Sequence, residues 1–242
     1  MAANPITQPI FATRFAFHQI VPVSESAKCL GPWHEALMRP PDTRGKAIGD
    51  YVETLYMNEP PHWIDGHVVR AVSGAQHANA GEMARVSINI HPASLLNDEF
   101  VDEVLQSVIA NRLRGCEVCL ELIEYGDCLD RGALIRNAKY LRAAGALIAL
   151  DDFGRRLNCF DLCGAGIVDY IKIDMGITRD VDKNPHQVAV IKSIVALAEG
   201  LGGEAIAEGV ETKAQLKKIS EIGVHYAQGY LIGKPKNRIG KS

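Results

Sequence analysis

Ala146-Leu147-Ile148-Ala149-Leu150-Asp151-Asp152-Phe153-Gly154 joins five apolar residues to two adjacent aspartates. A run that is apolar at every position reads as a strand covered on both faces, as in a parallel sheet between helices. On its upstream side lies a helical pattern over 132–144, stopped by Gly145. Before that, Cys116–Ile123 (CEVCLELI) reads as a strand, and Arg85–Ile90 (RVSINI) as another. Between these two strands, Asn97 is placed to cap a helix carrying Phe100, Val101, Val104, Leu105, Val108 and Ile109 on one face. Downstream, Ile167–Ile173 is a strand, and Asn184-Pro185-His186-Gln187 opens a helix with a cap, a first-turn proline and a glutamine at the third position. Gly203–Ala207 and Val224–Ala227 are further strands, separated by a helix that begins at Thr212-x-x-Gln215 and stops near Gly223. Phe15–Val21 and a segment around Trp33–Leu37 bring the count to about eight strands with interposed helices. The chain is therefore expected to be α/β, a (β/α)8 barrel more than an open sheet. The GxGxxG phosphate fingerprint of dinucleotide-binding sheets is absent. Residues 40–62 are the least regular part.

Composition excludes several classes. The chain has 242 residues, 47% apolar and 23% charged, with a formal net charge of -3. That length fits one barrel domain, expected to span 1–242 with its core at about 13–236. Mixed charge argues against a disordered tail and against a DNA or RNA duplex as partner. No apolar run reaches the ~18 residues of a membrane span, and residues 1–15 lack the layout of a secretory signal. Membrane insertion is not expected, and a cytoplasmic location is. Cys116 with Cys119, and Cys159 with Cys163, have metal-like spacings. Positions three apart on a strand point to opposite faces, so buried thiols are the expectation for the first pair.

The strand ends carry the chemistry. In order they offer Glu35, Asn89, Glu121 with Glu124, Asp151 with Asp152, Lys172 with Asp174, Glu208 with Glu211, and Gln228. Catalytic groups of α/β barrels lie at the C-terminal ends of strands. One such aspartate is an ordinary helix cap. Five or more carboxylates at one mouth repel each other unless cations neutralise them. Oxygen ligands with one amide favour hard ions, Mg2+ or Mn2+. Adjacent Asp151 and Asp152 can reach two ions, one of them shared, and paired ions roughly 3.5–4 Å apart are a common device for phosphodiester hydrolysis. Lys172 has two readings, a partner to Asp174 or a cation beside an attacking water. A Schiff-base role for Lys172 needs a depressed pKa, which a crowd of carboxylates opposes.

These residues resemble the EAL domain, a metal-dependent phosphodiesterase family that linearises the bacterial signalling molecule cyclic di-GMP. The resemblance rests on Glu35-Ala36-Leu37-Met38-Arg39, Ser87-x-Asn89, Glu121-x-x-Glu124, Asp151-Asp152-Phe153-Gly154, Lys172-Ile173-Asp174, Ala207-Glu208-Gly209-Val210-Glu211-Thr212 and Gln228-Gly229-Tyr230, in order over about residues 13–236. It implies a modified (β/α)8 TIM-type barrel whose first strand runs antiparallel to its neighbours. It implies hydrolysis of cyclic di-GMP to linear pGpG by a metal-activated water, with one or two Mg2+ or Mn2+ ions. Metal ligands carried over are Glu35, Asn89, Glu121, Asp151, Asp152 and Glu208. Catalytic positions are Lys172, Glu208 and Gln228. Substrate-binding positions are Gln19, Leu37, Arg39 and Gln228, and supporting ones are Glu124, Asp174 and Glu211. The family also forms homodimers. One stretch departs from the family pattern: after Asp-Asp-Phe-Gly the chain reads Arg155-Arg156-Leu157-Asn158-Cys159-Phe160, without the usual second glycine and paired serines. Arg155 and Arg156 either steer a phosphate ligand or face solvent. A catalytically weak or inactive receptor for cyclic di-GMP, or a protein-interaction module, is the alternative expectation.

Overall fold

A computed structural model describes residues 13–28, 31–43, 45–79, 81–123, 130–155 and 160–237. Eight strands close into one barrel in sequence order: β1 (Arg14–Pro22), β2 (Trp33–Arg39), β3 (Arg85–Ile90), β4 (Glu117–Leu122), β5 (Leu147–Phe153), β6 (Tyr170–Ile173), β7 (Glu204–Ala207) and β8 (Tyr226–Ala227). β1 runs antiparallel to both β2 and β8, and every other pair is parallel. The reversal has a local cause. Residues 23–32 between β1 and β2 are fewer than the dozen or more that a parallel crossover takes.

Helices follow the later strands. They are α1 (Ile48–Asn58) and α2 (Pro61–Ala78) after β2, α3 (Asp98–Arg112) after β3, and α4 (Arg131–Ala144) after β4. Two short helices, α5 (Phe160–Gly164) and α6 (Met175–Thr178), precede α7 (Pro185–Gly200) and α8 (Lys213–Glu221). Their starts obey the sequence. Asn97 accepts from Phe100 N, Asn184 from His186 N, and Thr212 with Gln215 forms a reciprocal capping box. Gly145 ends α4 at φ 109°, a conformation that costs any other residue a clash.

Residues 40–62 are more regular than the sequence indicates, because α1 and the start of α2 lie there. The stripe of α1 is only Tyr51 with Leu55, that of α2 starts beyond residue 62 at Ile64, and Pro60-Pro61 divides the two helices. The strand expected over 167–173 begins only at Tyr170.

Two cores share the barrel wall. Outward residues such as Val86, Ile88, Leu120, Ile148 and Ile171 pack with Val104, Leu134, Ile191 and Ile219 of the helices. Each such buried aliphatic contributes roughly 1.5–3 kcal/mol. Inside the barrel, Ile20, Trp33, Cys119, Ala149, Tyr170, Ile206 and Tyr226 form a plug below the mouth. Cys119 sits in that plug, and Cys116 and Cys163 are buried free thiols, so no metal is gathered by the described cysteines. Cys159 lies outside the described residues.

Candidate active site at the barrel mouth

The β1–β2 pair rises above the rest of the barrel. β2 pairs with β3 only as far as Ala36, yet stays paired with β1 through Arg39. Glu35 is therefore not at a strand end, as the sequence indicates, but at the third position of β2, inside the lumen. The three residues beyond Ala36 carry Leu37 and Arg39 over the mouth.

Below that overhang one ammonium meets four carboxylates. Lys172 Nζ lies 2.6 Å from Glu121 Oε2, 2.8 Å from Asp151 Oδ1, 2.9 Å from Glu208 Oε1 and 3.6 Å from Glu35 Oε2. Lys172 is 1% exposed and Glu121 0%. Glu35 is held from two sides, accepting from Asn89 Nδ2 at 2.9 Å and from Gln228 Nε2 at 2.8 Å. Lys172 makes none of these contacts with Asp174, whose Oδ1 instead caps α6 through Gly176 N at 2.8 Å.

The electrostatics follow from one cation facing four acids. Burial alone would lower the Lys172 pKa, but Asp151, Glu121, Glu208 and Glu35 reverse it and hold the ammonium well above its usual range. A Schiff-base nucleophile needs the opposite. Burial pushes Glu121 and Asp151 up, against the pull of Lys172, and pushes Glu208 up to about 8. Glu35 goes the other way: burial opposes its charge, but Lys172, Asn89 and Gln228 together lower its pKa. The mouth is short of positive charge.

Its unmet acceptors show where such charge would go. Asn89 Oδ1 and Glu121 Oε1 are buried without a hydrogen-bond partner, a costly state for polar atoms. Beside them, Asp151, Asp152 and Glu208 each offer an oxygen, and these oxygens lie within 4.8 Å of one another. The donor set is all oxygen, which favours a hard divalent cation.

Two cavities open on this cluster. The larger, about 620 Å3, is lined by His18, Arg39, Arg155, Glu208, Gln228 and Tyr230 among others. The smaller, about 250 Å3, is more apolar, with Leu37, Met38, Val52, Tyr56 and Val68 beside Asn89 and Asp151. Glu35, Leu37, Arg39 and Asp152 border both. The Arg39 guanidinium donates to Met38 O at 2.9 Å.

Most expected positions converge on the mouth, with exceptions. Gln19 is exposed on the outer side of β1. The strand's period of two gives the inner side to Ala16, His18 and Ile20, and His18 pairs across with Glu35. His18 is therefore the β1 residue in the cavity, one position from the expected Gln19. Its Nε2 is buried without a hydrogen-bond partner, and burial lowers its pKa. Apolar residues stand on both faces of this strand, Phe15, Phe17 and Val21 on one and Ala16 and Ile20 on the other, so the sequence carries no signal for this phase. Glu211 is exposed at the rim of the larger cavity, its backbone N–H donating to Gln215 Oε1 at 2.8 Å. Glu124, Arg156, Leu157, Asn158 and Cys159 lie outside the described residues. Sequence reasoning also missed Asp65 on α2, which accepts from Tyr56 Oη at 2.6 Å, Ser94 Oγ at 2.6 Å and His91 N at 2.9 Å. It ties down the chain just after Asn89.

Comparison with known proteins agrees with this geometry. A family model described as EAL domain matches residues 34–235. An uncharacterised protein of Mycobacterium tuberculosis is 30% identical over 177 residues, 73% of this chain and 28% of the relative. Cyclic di-GMP phosphodiesterase RocR of Pseudomonas aeruginosa is 30% identical over 158 residues, 65% of this chain and 40% of RocR. The chain thus spans well under half the length of these curated relatives. Among solved structures, Klebsiella pneumoniae BlrP1 in a manganese/cyclic di-GMP complex superposes with TM-score 0.76 at 27% identity, covering 96% of this chain and 57% of BlrP1. No helix among the described residues is long and apolar enough to cross a membrane. The matched model covers nearly the whole of the eight-stranded barrel, from β2 through β8, and this chain belongs to the EAL domain family.

Proposed function

We propose that the chain hydrolyses cyclic di-GMP to linear pGpG with Mg2+ or Mn2+, as one barrel domain over 1–242 with its core at about 13–236. The observation that carries this reading is the pair of orphaned buried oxygens, Asn89 Oδ1 and Glu121 Oε1, beside the Asp151–Asp152–Glu208 group. Glu35, Asn89, Glu121 and Asp151 would hold one ion, and Asp151, Asp152 and Glu208 a second, with Asp151 shared. Divalent cations in such a place supply Lewis acidity and a water of lowered pKa. The protein's own groups do the rest. Lys172, locked in its charged form, donates to the water and offsets the negative charge that develops on the phosphate. The Glu208 carboxyl lies between Lys172 and the aspartates, so it would help to hold the cation and would relay the proton the water loses to the departing ribose oxygen as the P–O bond breaks. Gln228 orients Glu35 and the water. The planar fork of Arg39 suits a phosphate oxygen pair. Leu37 and His18 line the bed of the dinucleotide, with His18 in the place first expected of Gln19. Asp174, Glu211 and Glu124 keep the supporting roles that the family resemblance implies.

A second reading has one observation in its favour. Arg155 Nη1 lies 3.1 Å from Asp152 Oδ2, a positive charge already resting on the cation side of the pair. In that reading the chain binds cyclic di-GMP without cutting it. The purified chain incubated with cyclic di-GMP and Mg2+ or Mn2+ separates the two. Chromatographic appearance of pGpG, abolished by chelator and by Glu35→Ala, is expected. Tight binding in chelator with no pGpG in either metal would establish the receptor.

A further inference from the structure

The stretch that departs from the family pattern begins with a well-defined turn. Arg155 N donates to Asp152 O at 3.1 Å. Asp152 sits at φ 50°, the one non-glycine residue in the left-handed region among the described residues, a conformation that costs about 1 kcal/mol or more. Gly154 follows at φ 99°, where an added Cβ would lie 2.4 Å from Ile177 Cδ1. Backbone shape and packing thus both fix this turn, and the turn folds the Arg155 side chain back onto Asp152. The resulting ion pair is partly open to solvent, with side-chain exposures of 59% and 34%. Arg155 also lines the larger cavity, together with Arg39 and Arg179. Its guanidinium is therefore within reach of two kinds of anion, the Asp152 carboxylate and a ligand phosphate.

We propose that Arg155 is an exchangeable counter-ion of the cation site: without a divalent cation it rests on Asp152, and when a cation takes that carboxylate Arg155 turns to a phosphate of the dinucleotide. This inference rests on the divalent-cation reading above. It has a thermodynamic signature that a merely structural arginine lacks. Arg155 competes with the cation for Asp152, so removing it tightens cation binding. Arg155 also joins the ligand at less cost once the cation is present, so it makes the two bind cooperatively, and the coupling is reciprocal. One contact underlies both effects, so both change by the same factor.

The test is calorimetric titration of MnCl2 into the whole chain without ligand, for wild type, Arg155→Ala and Arg155→Lys. Circular dichroism checks that each is folded. Mn2+ should bind Arg155→Ala about two- to fivefold more tightly, the range of a partly exposed ion pair. The lysine variant keeps the charge but loses the fork, and should fall between. Cyclic di-GMP is then titrated in chelator and in saturating CaCl2. The enhancement by cation seen in wild type should shrink in Arg155→Ala by about the same two- to fivefold. Unchanged or weaker Mn2+ binding in Arg155→Ala overturns the proposal. So does an undiminished cation enhancement, and so does failure of all three proteins to bind Mn2+. The hydrolase reading fails separately: a chain that shows both shifts yet yields no pGpG keeps Arg155 as counter-ion and loses catalysis.

Discussion

The two ends of the barrel lumen each bury one cation, and they treat it differently. At the closed end, Arg85 donates through Nε and Nη2 to Glu117 Oε2 at 2.9 and 2.6 Å and through Nη1 to Tyr170 Oη at 2.6 Å. Its guanidinium lies 4.6 Å from the Trp33 ring centroid and 5.3 Å from that of Tyr170. Trp33 Nε1 donates in turn to Ser87 Oγ at 2.8 Å. One charge meets one carboxylate, and the aromatic faces and hydroxyl complete the shell. At the mouth, Lys172 meets four carboxylates and leaves buried oxygens unmet. The closed end is balanced for stability. On the proposed reading, the mouth trades stability for an affinity for cations.

Replacing each cation tests that contrast. Lys172→Ala should have the largest effect, with turnover falling on the order of a thousandfold while cyclic di-GMP affinity falls much less. In chelator it should also lose about 3 kcal/mol in urea unfolding, a loss that MnCl2 partly restores. A variant as stable as wild type in chelator would mean the acids at the mouth do not strain the fold. Arg85→Met should cost about 2–3 kcal/mol, and MnCl2 should restore none of it. Restoration there would erase the distinction between the two ends.

Glu121→Gln sharpens the same comparison from the other side. It removes one of the surplus acids, so unfolding in chelator should shift towards stability by about 1 kcal/mol, while turnover drops at least a hundredfold. A loss of stability instead would show that Glu121 is balanced by Lys172 as Glu117 is by Arg85.

Asp65 gives a smaller, pH-dependent effect away from the acids. Burial pushes its carboxyl up to about 7, despite hydrogen bonds from Ser94, Tyr56 and His91. Between about pH 4 and 7 the folded chain holds a proton that the unfolded chain has released. The stability that Asp65 contributes therefore falls as pH rises through that window, by at most ~1.4 kcal/mol per unit, and its own effect levels off above it. Asp65→Asn should flatten this slope in urea unfolding at pH 5, 6, 7 and 8, and an unchanged slope would assign the effect elsewhere. The smallest expected change is in ligand binding by β1. His18→Ala should weaken cyclic di-GMP about fivefold, with Gln19→Ala unchanged. The reverse order would restore Gln19 to the cavity.

Much of this was legible in the sequence because its signals are local. The apolar run before Asp151 marks a doubly covered strand, and Asn97, Asn184 and Thr212 cap helices where they stand. The acids at the mouth could be collected because each follows or lies within a recognisable strand. What was not legible depends on pairing across the fold. The phase of β1 is set by its antiparallel partners, so Gln19 and His18 were a single step apart. Glu35 reads as a strand end because nothing in its own neighbourhood shows that β2 continues to Arg39 against β1. Asp65 carries no local signal because His91 and Ser94, two of its three partners, lie 26 and 29 residues away. A net charge of -3 conceals that so much of the acid faces one lysine.

The claim that the mouth is built to take a divalent cation is tested most directly by urea unfolding of the wild-type chain in chelator and in saturating MnCl2. A cation bound only by the folded chain at a hundredfold excess over its dissociation constant stabilises by about 2.7 kcal/mol. The predicted result is a shift of that order in wild type and its loss in Glu35→Ala. Coincident unfolding curves for the wild-type chain in chelator and in MnCl2 would contradict it.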